Sequence, residues 1–551
     1  MGPSKRLRSL LWTSLLAIAG CAPTASPAES TTQTAVTETS SPPVVQSAPA
    51  DYVVFAPRAF SEELAPLLEL RKKQGHTVAL RAVEDVYAAR SGGVPKAEAL
   101  RDEIDAMASS SSPSKLKFVL LAGDPKEGPA VVPSFYETSG ADWIPAGFEA
   151  KPHRTDLGFS RFDKEPLAVG RLPARTEKEM TAMVDKILAY EGAASGGAWQ
   201  KKVLVFGGPA DFGPVADGLL ESQATSILDQ LLPYDYDVGV IFAKADSPYV
   251  YRYDQLGTKI VDEMNAGSLL AVYAGHGLED SFDRARYRNR RYPIGTVREI
   301  EQLNITHGSP IFVSFTCLTG DYGMPNGQRS IAETMVLNPR GPVAVFASSD
   351  ISHPYPNLLY AQSLLDSFIL KRSPTVGEGI VAAKKDMLTR SIPFASLIVP
   401  GDLEAIKKEH LGLYNLLGDP ATQVRLPAPL TVKTDEASVH PKQLVHVKID
   451  SPLVGDAPVR VTIETDRSTV KPGMVPPAKL EEMSIESAFE AMAKNFAIAS
   501  DKVLVAKEGA VKGGKSEIEI AAPDAPGTYF VKVMAQSPKG IAAGHARIEV
   551  K

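Results

Sequence analysis

Short apolar runs alternate with amphipathic segments through the middle of the chain. The first run, residues 52–55, precedes a segment at 60–75 in which leucines recur among charged residues. This spacing predicts a strand followed by a helix. Further apolar runs, each predicting a buried strand, lie at 78–80, 118–122, 167–170, 203–206, 269–274, 310–316 and 343–347. Apolar strands separated by helices predict an α/β fold with a mostly parallel sheet and helices on both faces.

A different pattern begins near residue 428. β-Branched residues cluster or alternate in short runs separated by turns, at 430–433, 444–449, 459–463, 516–520, 528–535 and 542–550. A stretch of roughly 120 residues with this pattern predicts an immunoglobulin-like β-sandwich. One helical segment, 477–495, interrupts the strands, and no catalytic combination of residues falls in this part.

The N-terminus has the pattern of a bacterial secretory signal. A basic start is followed by an apolar stretch at 10–18, which is too short to span a bilayer as a finished helix. Residues 18–21, Ile-Ala-Gly-Cys, resemble a bacterial lipobox, and this resemblance implies lipidation of Cys21. We therefore expect a lipid-anchored protein of the bacterial cell envelope, at the outer membrane or cell surface. The alternative is an ordinary signal peptide with a chance cysteine.

The segment 22–50 carries no basic and no aromatic residue. It cannot bury enough apolar surface to offset the entropy lost on ordering, so we expect a disordered tether. The predicted organisation is then a signal peptide at 1–21, the tether at 22–50, an N-terminal α/β subdomain at 51–195, a catalytic α/β subdomain at 196–428 and the β-sandwich at 429–551.

Composition narrows the possible functions. The 551 residues are 44% hydrophobic and 23% charged, which is the balance of a globular protein with several domains. Because Lys and Arg number 59 against 65 Asp and Glu, no basic excess supports nucleic-acid binding. The two cysteines, Cys21 and Cys317, exclude a disulfide scaffold and a zinc site built on several thiolates.

Two predicted strand ends carry candidate catalytic groups. His276, flanked by glycines, follows the run 269–274, and Cys317 follows the run that begins at 310. If these strands are neighbours about 4.8 Å apart, the imidazole lies close enough to promote ionisation of the thiol. The backbone amides of Gly277 and Cys317 are then candidate oxyanion donors.

Each residue taken singly has a structural interpretation, because most buried cysteines are small apolar side chains and most glycine-flanked histidines lie in turns. The combination favours catalysis. His276 precedes Cys317 by roughly 40 residues, which is near the spacing of caspase-type enzymes and opposite to the order in papain.

The residues around both groups resemble those of the gingipain family of cysteine peptidases, family C25. Residues 273–280 resemble its histidine motif and 315–322 its nucleophile motif, and further similarities lie at 168–173, 190–191, 199, 331–333 and 416–420. The resemblance covers roughly 51–428. It implies a caspase-like α/β fold in two subdomains with an immunoglobulin-like domain after it, and endopeptidase activity on a protein or peptide. It further implies Cys317 as nucleophile and His276 as general acid/base, with no cofactor required for the chemistry.

The resemblance also implies an acidic S1 pocket that binds a basic residue before the cleaved bond. Glu221 aligns at or beside the acid of this pocket, with a solvated helix residue as the alternative. Asp350 is a second candidate, Tyr355 is a candidate aromatic wall, and Asp211 is a candidate to orient His276.

Structural calcium is common in this family, but no spacing here is diagnostic of it. The acidic loop residues Asp124 and Asp156 are possible ligands to which we assign no site. The first strand is expected about 30 residues after Cys21, without the long propeptide of gingipains. Two rival functions remain. One is a catalytically silent module for adhesion or assembly, and the other is a transpeptidase or sorting enzyme that forms the same thioester.

Overall fold

The computed structural model describes residues 49–140, 151–192, 196–209, 229–393, 395–397, 399, 401–453, 455–538 and 540–551. The predicted signal peptide, nearly all of the predicted tether, and the candidate residues Cys21, Asp211 and Glu221 lie outside these ranges.

One large sheet runs through the part of the chain predicted as α/β. The strands described in this part are β1 (Tyr52–Ala56), β2 (Val78–Ala82), β3 (Phe118–Ala122), β4 (Phe135–Thr138), β5 (Pro152–Thr155), β6 (Ala168–Leu172), β7 (Lys202–Gly207), β8 (Asp237–Phe242), β9 (Leu270–Ala274), β10 (Arg284–Tyr287), β11 (Arg290–Pro293), β12 (Ile311–Phe315), β13 (Ala344–Ser348) and β14 (Tyr414–Leu417). The large sheet has the order β2-β1-β3-β6-β14-β13-β12-β9-β7-β8, while β4–β5 and β10–β11 form small antiparallel ribbons. The pairs β1–β2, β1–β3, β3–β6, β7–β8, β7–β9, β9–β12 and β12–β13 are parallel, which confirms the predicted mostly parallel sheet.

Helices cover both faces of this sheet. Those described are α1 (Ser61–Lys73), α2 (Val83–Ser91), α3 (Ala97–Ala108), α4 (Glu177–Gly192), α5 (Leu256–Asn265), α6 (Val297–Ile300), α7 (Ile331–Leu337), α8 (Pro354–Leu365), α9 (Val376–Thr389) and α10 (Leu403–Leu413). Along β1, Tyr52 and Val54 join one hydrophobic core, whereas Val53 and Phe55 join another. Since successive side chains of a strand point to opposite faces, a strand buried on both faces is apolar throughout.

A strand that the sequence pattern did not predict connects the two parts of the sheet. β14 is antiparallel to β13, and its Leu417 also pairs with Arg171 of β6. The sheet therefore continues across the predicted boundary between residues 195 and 196. The edge strand β8 was missed as well.

The C-terminal part contains the predicted β-domain. Its strands are β15 (Ala428–Pro429), β16 (Thr431–Thr434), β17 (Ser438–Val439), β18 (Leu444–Asp450), β19 (Ala457–Thr465), β20 (Val503–Val511), β21 (Lys515–Ala521), β22 (Gly527–Ser537) and β23 (Gly540–Val550). One sheet has the order β15-β23-β22-β19-β20 with β17 beside β23, and the other has the order β16-β18-β21. Side chains of both sheets, such as Val447 and Val461, share one core. The immunoglobulin-like assignment stays a prediction.

The predicted helical interruption of the β-domain is present as two helices. They are α11 (Pro477–Glu482) and α12 (Ile485–Ser500), and they lie between β19 and β20 in the chain. Leu480, Phe489 and Phe496 belong to the hydrophobic core of the large sheet rather than to that of the β-domain. The β-domain is thus attached to the α/β part through shared apolar packing.

No helix in the described ranges has both the length and the apolar character needed to cross a membrane.

Candidate active site

The loops that carry His276 and Cys317 leave neighbouring strands at the same edge of the sheet. β9 and β12 pair in parallel from Leu270 with Ile311 to Ala274 with Phe315. His276 and Cys317 each lie two positions beyond this last pair. The register therefore places the imidazole loop and the thiol loop side by side.

Both residues are among the described residues that line a cavity, which extends from this edge along the face of β7, β8, β9 and β12 to β19 and β22 of the β-domain. Among the described residues, its wall on the His276 side includes Gly208 and Gly275, and its wall on the Cys317 side includes Ser352 and Asn357. Carboxyl ends of parallel strands are where ligands bind in α/β sheets. The edge at which the loops of Cys317 and His276 lie side by side is therefore the candidate substrate site.

The glycine after His276 lets the two loops touch. A Cβ atom on Gly277 would lie 2.8 Å from Cγ2 of Thr319 and 2.9 Å from Cβ of Thr316. Both distances are shorter than real Cβ contacts, so a larger residue at 277 would push the histidine loop away from the cysteine loop. The absence of a side chain at Gly277 therefore permits loop-to-loop packing.

A cluster of buried hydroxyl groups supports the turn that carries Cys317. The side-chain oxygens of Ser314, Thr316 and Thr319 lie 2.6 to 3.0 Å from one another. Leu318 adopts a left-handed conformation with φ +60°, and the Thr319 N–H donates to the Cys317 carbonyl at 2.7 Å. These bonds fix a tight turn directly after the end of β12.

The Cys317 thiol contacts the loop that follows β13. The Ser352 backbone N–H donates to Sγ at 3.4 Å, and the thiol approaches the Ser352 carbonyl oxygen at 3.7 Å. Burial raises the pKa of the thiol, and the nearby Asp350 charge adds to this, while the hydrogen bonding of Ser352 opposes it. The surrounding protein alone thus favours the neutral thiol, so formation of the thiolate requires a base such as His276.

A chain of polar side chains supports Ser352 from below. Tyr414 donates through its hydroxyl to Asn357 Oδ1 at 2.6 Å, and Asn357 Nδ2 donates to Ser352 Oγ at 3.0 Å. Ser352 Oγ in turn donates to the Thr316 carbonyl at 3.0 Å. Sequence reasoning missed Ser352, Asn357 and Tyr414, although the polar run after the apolar strand at 343–347 was a signal for Ser352.

The structure does not bring Asp350 or Tyr355 into the cavity that contains the thiol. The Asp350 carbonyl accepts the Leu318 N–H at 3.1 Å, and its carboxylate lies 3.4 Å from Nδ1 of the buried His153. The Tyr355 side chain is 5% exposed, and its N–H donates to Nδ1 of His353 at 3.1 Å. Within the described residues, neither side chain is part of the cavity wall.

A half-buried carboxyl group, that of Asp321, lies four residues after Cys317. Asp321 is 3.7 Å from the Arg154 guanidinium. Burial raises the pKa of Asp321 to about 6, and the neighbouring acids Glu333 and Glu279 add to this effect. This side of the cysteine loop is therefore acidic at neutral pH, a feature that the sequence patterns did not reveal.

The two acidic loop residues considered for calcium already have cationic partners. Asp124 lies 2.8 Å from Arg175 and 3.1 Å from Arg329, and Asp156 lies 2.8 Å from Arg171. Carboxylates saturated by guanidinium groups do not fit a calcium ion. The calcium implied by the family resemblance stays a prediction without a site here.

A second group of possible ligands lies on the β-domain surface. Asp435, His446 and Glu517 bring one ligand atom each within 4.8 Å of one another. The Lys448 ammonium is 2.5 Å from the Asp435 carboxylate, so one of the three possible ligand groups is already paired with a cation. We assign no metal to this group.

A thiol and an imidazole thus follow adjacent parallel strands of one α/β sheet, an arrangement that suits the chemistry of a cysteine peptidase. The family model described as Peptidase family C25 matches residues 45–425, and the chain belongs to this family. The resemblance drawn from the motifs is thereby confirmed.

Two curated relatives come from Porphyromonas gingivalis. Gingipain R2 is 22% identical over 346 residues, which cover 60% of this chain and 41% of that protein. Gingipain R1 is 20% identical over 426 residues, which cover 72% of this chain and 37% of that protein. The chain thus spans about two-fifths of the length of the curated relatives it matches.

A solved structure shows the same fold. The crystal structure of the Arg specific cysteine proteinase gingipain R aligns with 93% of this chain and 100% of that chain, with a TM-score of 0.52 and 16% identity. The predicted caspase-like α/β architecture with a β-domain after it is confirmed.

Proposed function

We propose that this protein is a cysteine endopeptidase in which Cys317 is the nucleophile and His276 the general acid and base. The observation that carries the proposal is the parallel register of β9 and β12, which brings the two residues side by side at one cavity. Membership of peptidase family C25 supports it.

The reaction follows from the chemistry of these two groups. His276 accepts the Cys317 proton, and the thiolate attacks the carbonyl carbon of the scissile peptide bond. His276 then protonates the leaving amine, the C–N bond breaks, and a thioester to Cys317 remains. Water, deprotonated by His276, attacks the thioester, and the new carboxylate leaves as the thiol is regenerated.

The tetrahedral intermediates require donors for their oxyanion. The backbone N–H groups of Cys317 and Gly277 are our candidates, because they lie in the two loops that meet at Thr316 and Thr319. Fixed donors of this kind lose little reorganisation energy during the reaction, and each is worth about 3–4 kcal/mol of transition-state stabilisation.

We extend the proposal to cleavage after arginine or lysine, with Glu221 as the acid that binds the basic side chain. The support is the resemblance to the family, which puts Glu221 at or beside its S1 acid. A carboxylate in a closed pocket forms a charge-assisted hydrogen bond with a guanidinium or ammonium group.

We also propose that Cys21 is lipidated and anchors the protein in the bacterial cell envelope. The lipobox-like residues 18–21 support this. Mass spectrometry of the N-terminal peptide from the native host should find acyl chains on Cys21, and a Cys21→Ser variant should be released from the membrane fraction. An unmodified Cys21 would contradict the anchor and leave the peptidase proposal unaffected.

The test of the enzymatic proposal uses the full chain with a fluorogenic peptide series varied at the residue before the cleaved bond. We expect Cys317→Ala and His276→Ala each to lower kcat/KM by about 10⁴-fold or more, with the melting temperature preserved. Cleavage after arginine or lysine that Glu221→Gln abolishes would support the S1 proposal. Cleavage of other peptides would retain the endopeptidase and reject Glu221.

Two results would contradict the proposal in favour of the rival functions. Absence of cleavage, with Cys317 unlabelled by a thiol-reactive peptide probe, would favour the silent module. Reaction in H₂¹⁸O distinguishes hydrolysis from the transpeptidase alternative. Hydrolysis places one ¹⁸O in the new carboxylate, whereas transfer to an added amine gives an amide without ¹⁸O. Predominant transfer without ¹⁸O would favour a transpeptidase.

A further inference from the structure

The helices inserted in the β-domain pack against the hairpin that follows the histidine loop. Phe489 of α12 lies 5.7 Å, between ring centroids, from both Tyr287 and Tyr292, and 6.3 Å from Tyr253. Tyr253 and Tyr287 stack with centroids 5.1 Å apart. An aromatic cluster thus joins the β10–β11 hairpin to a helix that belongs, in the chain, to the β-domain.

Arg288 at the hairpin tip makes the polar part of this contact. Its Nη2 donates to the carbonyl oxygens of Leu480 and Met483 at 2.8 Å each and of Glu481 at 3.1 Å. The Tyr287 hydroxyl also donates to the Leu480 carbonyl at 3.3 Å. These carbonyls are at the C-terminal end of α11, where a helix dipole favours a cation, and the Leu480 carbonyl also accepts the Met483 N–H at 3.3 Å.

The backbone conformation of Arg288 indicates that its side chain is important. Its φ is +53°, a left-handed conformation that favours glycine or asparagine in a two-residue hairpin turn. The backbone conformation therefore disfavours arginine at position 288. The three carbonyl contacts of its guanidinium offset this free-energy cost.

The hairpin is in turn continuous with the histidine loop. Gly277 and Phe282 form a bridge across the loop, and the Phe282 N–H donates to the Gly295 carbonyl at 2.8 Å. The Tyr273 hydroxyl donates to the His276 carbonyl at 3.4 Å, and the Tyr273 ring stacks on Phe282 at 4.0 Å. A displacement of the hairpin would therefore move the backbone at His276.

We propose that the α11–α12 insertion of the β-domain positions His276. Arg288 is the positioning residue, because it connects the insertion to the hairpin that continues into the histidine loop. The β-domain then has a role in catalysis without contributing a catalytic group. The expected effects on kcat and KM rest on the proposed peptidase function. The ordering of the histidine loop by the insertion does not depend on that function.

The mechanism is restriction of loop motion. A loop held by few packing contacts opens locally at little free-energy cost, and an imidazole displaced by about 1 Å loses much of its catalytic effect. With the hairpin tip held on α11, the residues from 275 to 283 are fixed at both ends, by β9 on one side and by the docked hairpin on the other.

The test compares three variants of the full chain. Arg288→Asn removes the guanidinium and places a residue that tolerates left-handed backbone. Arg288→Lys retains a positive charge at the end of α11. Arg291→Asn is the matched control, because Arg291 is exposed on the same hairpin. Hydrogen exchange of residues 275–283, the pH profile of Cys317 alkylation by iodoacetamide, and kcat and KM are measured for each.

We expect Arg288→Asn to raise hydrogen exchange at 275–283 about tenfold and to lower kcat about tenfold, with KM changed less than about twofold. The acid limb of the alkylation profile should shift to higher pH. Arg288→Lys should recover part of each effect, and Arg291→Asn should match the unmodified protein.

Exchange at 275–283 and an alkylation profile that both stay unchanged in Arg288→Asn would overturn the proposal, even if the melting temperature fell. Equal effects of Arg291→Asn would overturn it as well. If the unmodified protein cleaves no peptide while its exchange still responds to Arg288→Asn, the peptidase function fails and the positioning of the loop stands.

Discussion

Two regions near strand ends of this molecule differ in how closely their polar groups are bonded. The first is an ion-pair cluster, which consists of Asp124 after β3, Asp156 after β5, Arg171 in β6, Arg175 after β6 and Arg329 before α7. After β9 and β12 lie the dyad loops, residues 275–283 and 316–323. In the cluster the buried Arg171 binds Asp156 through two nitrogens at 2.8 Å each and also donates to the carbonyls of residues 123 and 132. In the dyad loops the Cys317 thiol makes long contacts to Ser352, at 3.4 and 3.7 Å.

The difference shows that one fold can provide both a rigid support and a site for a reactive group. A buried charge with every donor and acceptor satisfied makes a rigid support, because any opening exposes unpaired charges. A nucleophile must instead keep its capacity to bond with substrate. The cluster also reaches the cysteine loop, since Arg329 bonds Asp124 and Glu333 together, and Tyr322 lies under the Arg171 guanidinium with 5.4 Å to the ring centroid. The rigid region therefore supports the reactive one.

The largest effect on stability should come from breaking the ion-pair cluster. Arg171→Leu leaves the Asp156 carboxylate buried without its partner, so we expect the free energy of unfolding to fall by about 3–5 kcal/mol in urea titrations. Activity per folded molecule should remain within a few-fold of the unmodified protein. The double variant Arg171→Leu/Asp156→Leu should recover much of the loss, and failure to recover would contradict a charge-based explanation.

In the dyad loops a small change should affect reactivity more than stability. Gly277→Ala places a Cβ against Thr316 and Thr319, and we expect kcat/KM to fall about 10- to 100-fold with about 1–3 kcal/mol of destabilisation. Gly192→Ala is the control, because a Cβ there meets nothing within 4 Å. An unchanged kcat/KM in Gly277→Ala would argue against tight contact between the two loops.

The segment after β13, which supports the dyad loops, contains a histidine, His353, that is neutral at pH 7. Burial lowers the pKa of His353 to about 4 from 6.5, so the unfolded chain binds this proton more strongly. Its contribution to stability is complete above pH 6.5 and is lost as pH falls toward 4. His353→Asn retains an acceptor for the Tyr355 N–H and removes the titration. Between pH 7.5 and 5, we expect the unmodified protein to lose about 2 kcal/mol more than this variant in urea titrations. Equal losses of unfolding free energy in the two proteins would contradict a lowered pKa of His353.

The smallest effect should come from the polar chain beneath Cys317. Tyr414→Phe removes the donor to Asn357, with an expected cost of about 1–2 kcal/mol and a few-fold slower alkylation of Cys317. Tyr529→Phe in the β-domain removes a similar bond, from its hydroxyl to the Ala525 carbonyl at 2.8 Å, and should leave alkylation unchanged. Equal alkylation rates in both variants would remove Tyr414 from the support of the site.

The apolar runs predicted the central strands well because those strands are buried on both faces. β3 is 118–122 in both the pattern and the structure. β14 was missed because its four residues, Tyr414–Leu417, are too few to form a recognisable run and directly follow α10. β20 was missed because several of its residues are exposed and polar, and it is held by pairing with β19. Short or half-exposed strands depend on partners that are distant in sequence.

The sequence by itself determined the candidate thiol and imidazole, since each follows a strand whose burial is visible in local hydrophobicity. It also determined the position of the helical interruption in the β-domain. The tertiary structure decided that β9 and β12 are neighbours, that Ser352, Asn357 and Tyr414 support Cys317, and that Asp350 contacts His153 rather than the cavity. It also decided that α11 and α12 pack with the hydrophobic core of the large sheet. The physical reason is that burial of a strand is a property of its own side chains, whereas hydrogen bonds, ion pairs and packing depend on which distant residues the fold brings within a few ångströms.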